Sequence, residues 1–217
     1  MSIVTSEGGL TALGYALCIL AAAALFAVAG IVSKSSRRAW STRQLVFCGT
    51  AMALSFITSY IRLFHMPYGG SVTCFSMLFI CLIGFWFGTR VGILTGLAYG
   101  ILQFLQEPYV LSLFQICCDY VLAFAGLGLA GLFIRSKNGL IKGYILGILV
   151  RGFFHSLGGY LYWMDYMPEE FPKMLTAIYP IVYNYSYILA EGILTLIVLM
   201  LPPVKKSLEQ IRRMAVQ

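Results

Sequence analysis

The sequence predicts an all-α membrane protein: a six-helix bundle preceded by one extra N-terminal transmembrane helix. Three observations carry that class. Hydrophobic residues make up 60% of the 217 and charged residues only 11%, where an ordinary soluble domain carries roughly a quarter charged. The mean hydropathy is +0.86. The apolar residues also fall into runs of helix-spanning length, divided by short segments that hold most of the basic residues. So few charges cannot cover a water-facing surface, which excludes a soluble enzyme, a disordered chain and a secreted disulfide scaffold.

Taken in order, with about 20 apolar residues needed per crossing, the runs read as seven spans. They are Leu10–Val32, Gln44–Phe64, Cys74–Phe87, Val91–Leu105, Val110–Phe133, Leu140–Trp163 and Ala177–Leu201. The third and fourth are short and divided only by Gly88-Thr89-Arg90, so they are expected to be tilted, to sit in a thin bilayer or to be partly re-entrant. The first follows Glu7 and no basic residue, so it lacks the positive leader of a signal peptide and reads as a retained helix. The polar, basic stretch Ser33–Thr42 is the one linker-like segment. The chain thus divides into an accessory helix (1–33), a basic cytoplasmic linker (34–42), a six-helix body (43–202) and a basic cytoplasmic tail (203–217).

Basic residues prefer the cytoplasmic side of a membrane. With the N-terminus outside, the inner segments hold Lys34, Arg37, Arg38, Arg43, Arg90, Arg135, Lys137, Lys142, Lys205, Lys206, Arg212 and Arg213. The outer side keeps Arg62 and Lys173 together with the acids Glu7, Glu107, Asp165, Glu169 and Glu170. A multi-pass protein of the cell membrane follows, N-terminus outside and C-terminus cytoplasmic. The net charge of +7 is explained by this topology, and no nucleic-acid partner is implied. The six cysteines lie in or beside apolar runs without metal-ligand spacing, as small packing residues do.

Ionisable and polar groups at membrane depth usually face a cavity or a partner. At 1.5 Å per residue, Asp119 lies ~13 Å, His155 ~12 Å and Asn184 ~10 Å from the outer ends of their spans. Three polar side chains on three helices therefore reach one level in the outer half of the bilayer. Tyr109, Tyr120, Tyr160, Tyr162, Trp163, Tyr179, Tyr183, Tyr185 and Tyr187 crowd the same level. They suit either an interfacial aromatic belt or the walls of a pocket. Gly158-Gly159, one turn from His155, would let a ligand approach the backbone. A carboxylate, an imidazole, a carboxamide and π-faces together fit a flat, cationic, hydrogen-bonding molecule captured from outside. Deeper still, Arg151 and Glu191 are expected to form a buried ion pair, the alternatives being Arg151 facing water or Asp119. Catalysis has little support. There is no H-E-x-x-H, Gly-x-Ser-x-Gly or P-loop motif, and two histidines cannot build a histidine-rich metal site. No cofactor is expected.

At these residues the chain resembles the thiamine-specific substrate-binding S-components of energy-coupling-factor vitamin importers. The matching stretches are Met66-Pro-Tyr-Gly-Gly-Ser-Val-Thr73, Gly88-Thr-Arg-Val-Gly-Ile-Leu-Thr-Gly96, Asp119-Tyr-Val-Leu-Ala-Phe-Ala-Gly-Leu-Gly-Leu-Ala-Gly131, Arg151-Gly-Phe-Phe-His-Ser-Leu-Gly-Gly159 and Tyr183-Asn-Tyr-Ser-Tyr-Ile-Leu-Ala-Glu191. The resemblance implies an S-component-like bundle of six helices, leaving the first span as an addition. It also implies thiamine as the transported ligand. By position it makes Asp119 the acidic ligand-binding residue, with Tyr109 and Tyr120 as neighbouring contacts. It makes His155 and Gly159 the histidine and the glycine one turn on, Trp163 a ring-stacking tryptophan, and Tyr179 with Asn184 a hydrogen-bonding pair. Where some members carry a tryptophan in the first outer loop, this chain has Met66-Pro67-Tyr68-Gly69, and its loop Met164–Lys173 has two extra acids. The implied partners are a transmembrane coupling subunit and two cytoplasmic ATPase subunits, with Gly49-x-x-x-Ala53 the docking stripe or, equally, an intramolecular packing face. The rival readings are the same fold taking another vitamin or a thiamine precursor, and a membrane-embedded enzyme using Asp119 and His155.

Overall fold

The computed structural model describes residues 40–216 apart from 68, 108 and 110, together with 11–13, 16 and 20. Most of the expected first span, and residues 34–39 of its linker, lie outside the described residues.

Ser41 starts the body. Its hydroxyl accepts the Gln44 N–H at 3.2 Å and its own N–H donates to Gln44 Oε1 at 3.1 Å, a reciprocal cap that opens helix α1, Thr42–Ser59. The helix ends five residues before the expected limit at Phe64. Arg62–His65 instead forms strand β1, paired antiparallel with β2, Ser71–Thr73. The apolar Ile61, Leu63 and Phe64 prolong the hydropathy signal, but Arg62, His65 and Pro67 interrupt it and Gly69-Gly70, both at positive φ, turn the chain back. Helices α2 (Ser76–Phe87) and α3 (Thr89–Gln106) follow. Their linker is Gly88 at φ 101°, a backbone that suits glycine alone. The 12 residues of α2 span only ~18 Å, so the expected short third span is short in fact.

Helix α4, Leu113–Phe133, contains a π-helical turn at Cys117–Leu122 and ends in a 3-10 turn. Helix α5 runs Gly139–Tyr162 and α6 runs Tyr179–Met200. Lys173–Ile178 leads into α6 as a 3-10 turn. By length and composition α4, α5 and α6 with its lead-in can each cross a membrane. Pro202-Pro203 then opens a strongly amphipathic helix α7, Pro202–Val216, with Leu201 extended before the prolines as such residues are.

α2 lies at the centre, with nine of its residues buried, against α1, α3, α4 and α5. Glycines let these helices touch backbone to backbone. A Cβ on Gly128 would sit 2.2 Å from the Gly92 carbonyl carbon, and one on Gly92 would sit 2.5 Å from the Gly84 Cα. The bundle has two chemically different ends. Arg43, Arg90, Arg135, Lys137, Lys142 and the basic residues of α7 belong to one. The hairpin, the C-terminal ends of α1, α3 and α5 and the N-terminal ends of α2, α4 and α6 form the other.

Candidate functional site

The second end holds a cavity of about 790 Å³ lined by all eight residues singled out from the sequence: Asp119, His155, Trp163, Asn184, Tyr179, Tyr120, Tyr109 and Gly159. α4 supplies Asp119 and Tyr120 from its π-helical turn, an irregularity frequent at functional sites. α5 supplies His155, Gly159 and the residue beyond its end, Trp163; α6 supplies Tyr179 and Asn184. Tyr109 comes from the loop between α3 and α4.

Asp119 is the hub. Its Oδ1 lies 3.3 Å from His155 Nδ1, and its Oδ2 accepts from Gln115 Nε2 at 2.8 Å. Arg151 Nε donates to His155 Nε2 at 3.3 Å, while its guanidinium carbon sits 4.5 Å from the Phe124 ring centre. A chain of polar groups thus runs Arg151–His155–Asp119–Gln115 across α5 and α4. The aromatic wall stands beside it. Tyr109 and Trp163 stack at 4.9 Å with 29° between planes, and Tyr179 meets Phe171 edge-on at 5.0 Å. Tyr120 is anchored by its hydroxyl, which donates to the Glu107 carbonyl at 2.7 Å.

Asn184 is buried and committed to the protein. Its Nδ2 donates to the His155 and Pro180 carbonyls at 3.2 and 2.9 Å, and its Oδ1 accepts from Tyr187 at 2.9 Å. One lone pair of Oδ1 remains for a ligand. The glycine pair also serves the protein: a Cβ on Gly158 would meet Asp119 Oδ1 at 2.8 Å and one on Gly159 would meet Asn184 Nδ2 at 2.9 Å. The close approach expected for a ligand is made by these two side chains.

The expected Arg151–Glu191 ion pair is not formed. Glu191, 2% exposed, accepts from Thr73 N–H at 3.1 Å, Thr73 Oγ1 at 2.6 Å, Ser76 Oγ at 3.3 Å and Met77 N–H at 3.2 Å. The N-terminus of α2 has no cap from its own N-cap residue, Phe75, and its unsatisfied N–H groups with the helix dipole attract a carboxylate. Glu191 fills that place from α6, so Arg151 is left to the cavity wall.

Sequence reasoning missed Gln115 as a site residue and offered Arg151 there only as an alternative to the ion pair with Glu191. The signal was available, since each stands four residues before its partner on one helix face. It also missed the opposite wall, where Arg62 of β1 pairs with Glu107 past the end of α3. Ser59, Gln103 and Gln106 continue that wall through hydrogen bonds of 3.0–3.2 Å. Tyr160 and Tyr185 do not line the cavity. Tyr160 is 49% exposed, and the Tyr185 hydroxyl donates to the Leu149 carbonyl at 2.7 Å, as belt and packing residues do. Tyr68 lies outside the described residues, although its neighbours Pro67, Gly69 and Gly70 line the cavity.

The fold and the sequence both have known relatives. A solved structure of ThiT from Listeria monocytogenes superposes with a TM-score of 0.58 at 24% identity, over 74% of this chain and 94% of that one. The thiamine transporter ThiT of Bacillus subtilis (strain 168) is 31% identical over 155 residues, 63% of this chain and 76% of that protein. The family described as thiamine transporter protein (Thia_YuaJ) matches residues 45–210, from the first turns of α1 into α7. With that match covering all but the first residues of the six-helix body, the chain belongs to the thiamine transporter protein family.

Proposed function

We propose that this chain is the thiamine-binding subunit of an ATP-driven energy-coupling-factor importer, taking the vitamin from outside into the cavity around Asp119. The observation that carries the reading is the placement of Asp119 beside stacked aromatic rings, at the end of the bundle opposite the clustered basic residues of the other loops. The two groups on the Asp119 oxygens are a carboxamide and an imidazole, so among the described residues no arginine or lysine pairs directly with the acid in place of a cationic ligand. Thiamine offers a permanently cationic thiazolium and a flat aminopyrimidine with donors and acceptors. Basic residues favour the cytoplasmic side, and their gathering at the opposite end supports a cavity that opens outward.

The coupling subunit and the two ATPases remain implied by the family resemblance. Support comes from α1, where Gly49 and Ala53 are both exposed and a Cβ on Gly49 would meet nothing within 4 Å. The stripe faces away from the body, open to another helix. We read the chain as a binding subunit and not an enzyme; turnover of a bound vitamin by the purified protein would overturn that.

The test is equilibrium binding to the purified protein across a panel of vitamins. Thiamine should bind best, and Asp119→Asn, which removes charge and keeps shape, should weaken it at least roughly tenfold, or about 1.4 kcal/mol. Undiminished affinity in that variant would sink the counter-charge.

A further inference from the structure

Of the groups facing the cavity, Arg151 carries a fixed charge for which ligand contact has no evident need. Its surroundings assign it another task. An arginine Nε always bears a proton and can only donate. The 3.3 Å contact from Arg151 Nε to His155 Nε2 therefore requires Nε2 to be the unprotonated, accepting nitrogen. The ring proton must then sit on Nδ1, which points at Asp119 Oδ1 3.3 Å away. A histidine's second hydrogen bond sets which nitrogen carries the proton. Here that bond comes from a residue one turn earlier on the same helix, itself held over the Phe124 ring.

We propose that Arg151 is a positioning residue that locks His155 in the neutral Nδ1–H tautomer, aiming that proton at Asp119. The assignment rests on the thiamine-binding reading only for its functional consequence. The groups facing the imidazole are Arg151 from α5, Asp119 from α4 and the Tyr187 ring from α6, 6.4 Å between ring centres. With Nε2 occupied by a donor, the ring cannot become an imidazolium without losing the Arg151 bond. Asp119 then faces a neutral donor, and its negative charge is not cancelled by a cationic histidine. A cationic ring entering the cavity meets a neutral imidazole and a charged carboxylate. A histidine free to carry two protons would oppose that ligand and compete for the same acid.

The chain has two histidines, so nitrogen-15 NMR of the histidine-labelled full-length protein in detergent gives two ring patterns. His65→Ala assigns them by removing one. The expected result at neutral pH is the Nδ1–H pattern for His155 in the wild type without any ligand. Arg151→Met should release the ring toward the Nε2–H form and weaken thiamine binding by roughly tenfold or more. Arg151→Lys, which keeps a donor and a charge, should hold the tautomer and recover most of the affinity. An Nε2–H or imidazolium pattern in the wild type overturns the proposal, and this needs no variant to fold. An Nδ1–H pattern that persists in Arg151→Met overturns it as well. If the tautomer responds as expected while wild-type protein binds no thiamine, the positioning role stands and the functional reading falls.

Discussion

Trp163 ends α5 with its indole stacked on Tyr109, so the aromatic wall is assembled from a helix terminus and a loop that follows a different helix. Removing the indole should leave the packed core untouched, since neither ring belongs to a buried cluster. Trp163→Ala is expected to weaken thiamine binding by ~1–3 kcal/mol, as losing one stacked aromatic face does, with an unchanged melting temperature. The other two tryptophans report on different places. Trp86 packs edge-on against Phe47 at 6.0 Å and Trp40 precedes α1, and neither lines the cavity. Thiamine should therefore quench intrinsic fluorescence in the wild type and not in Trp163→Phe. Quenching that survives there would move the ligand away from this wall.

At the scale of elements, the N-terminus of α2 is held by Glu191 across the interior. The carboxylate ties α6, β2 and α2 together through bonds of 2.6–3.3 Å. Hydrogen bonds to a buried charge contribute about 1.5–3 kcal/mol each, and a stranded buried donor costs about 1–3. Glu191→Ala should therefore destabilise the fold by roughly 3 kcal/mol or more, read from thermal or denaturant unfolding in detergent. A double-mutant cycle with Arg151→Met should show coupling below about 0.5 kcal/mol. Strong coupling would restore the ion pair that hydropathy and depth alone suggest. Those two charges lie on neighbouring helices at similar depth, so the sequence made them natural partners. The competing attraction, an uncapped helix end supplied by a third helix, has no local sequence signal.

At the scale of the molecule, every described cavity residue falls between Ser59 and Tyr187, and the reciprocal cap at Ser41 secures the start of α1 from within the body. A chain beginning near Ser41 should therefore insert, fold and bind thiamine within roughly threefold of the full chain, a difference under 1 kcal/mol. Correct insertion without binding would make the first segment part of the binding body. The two-ended charge distribution also belongs to this scale. The basic residues of separate loops gather at the end away from the cavity because six antiparallel helices return alternate loops to the same end.

Composition and the spacing of apolar runs determined the membrane class, the number of body helices and the end of the bundle that each loop joins, because these depend on segment length and on charge counts. The level shared by Asp119, His155 and Asn184 was legible for the same reason, since depth along a helix is a fixed rise per residue. Tertiary structure alone decided what each side chain meets. It gave Glu191 to the end of α2 and Arg151 to His155, spent Asn184 on backbone carbonyls and folded Arg62–His65 into a hairpin. Rotation about a helix axis, the widened turn at Cys117–Leu122 and the glycine-permitted crossings of α2, α3 and α4 set those contacts. They are products of long-range packing, in which a difference of one rotamer or a few ångströms between helices selects one partner over another.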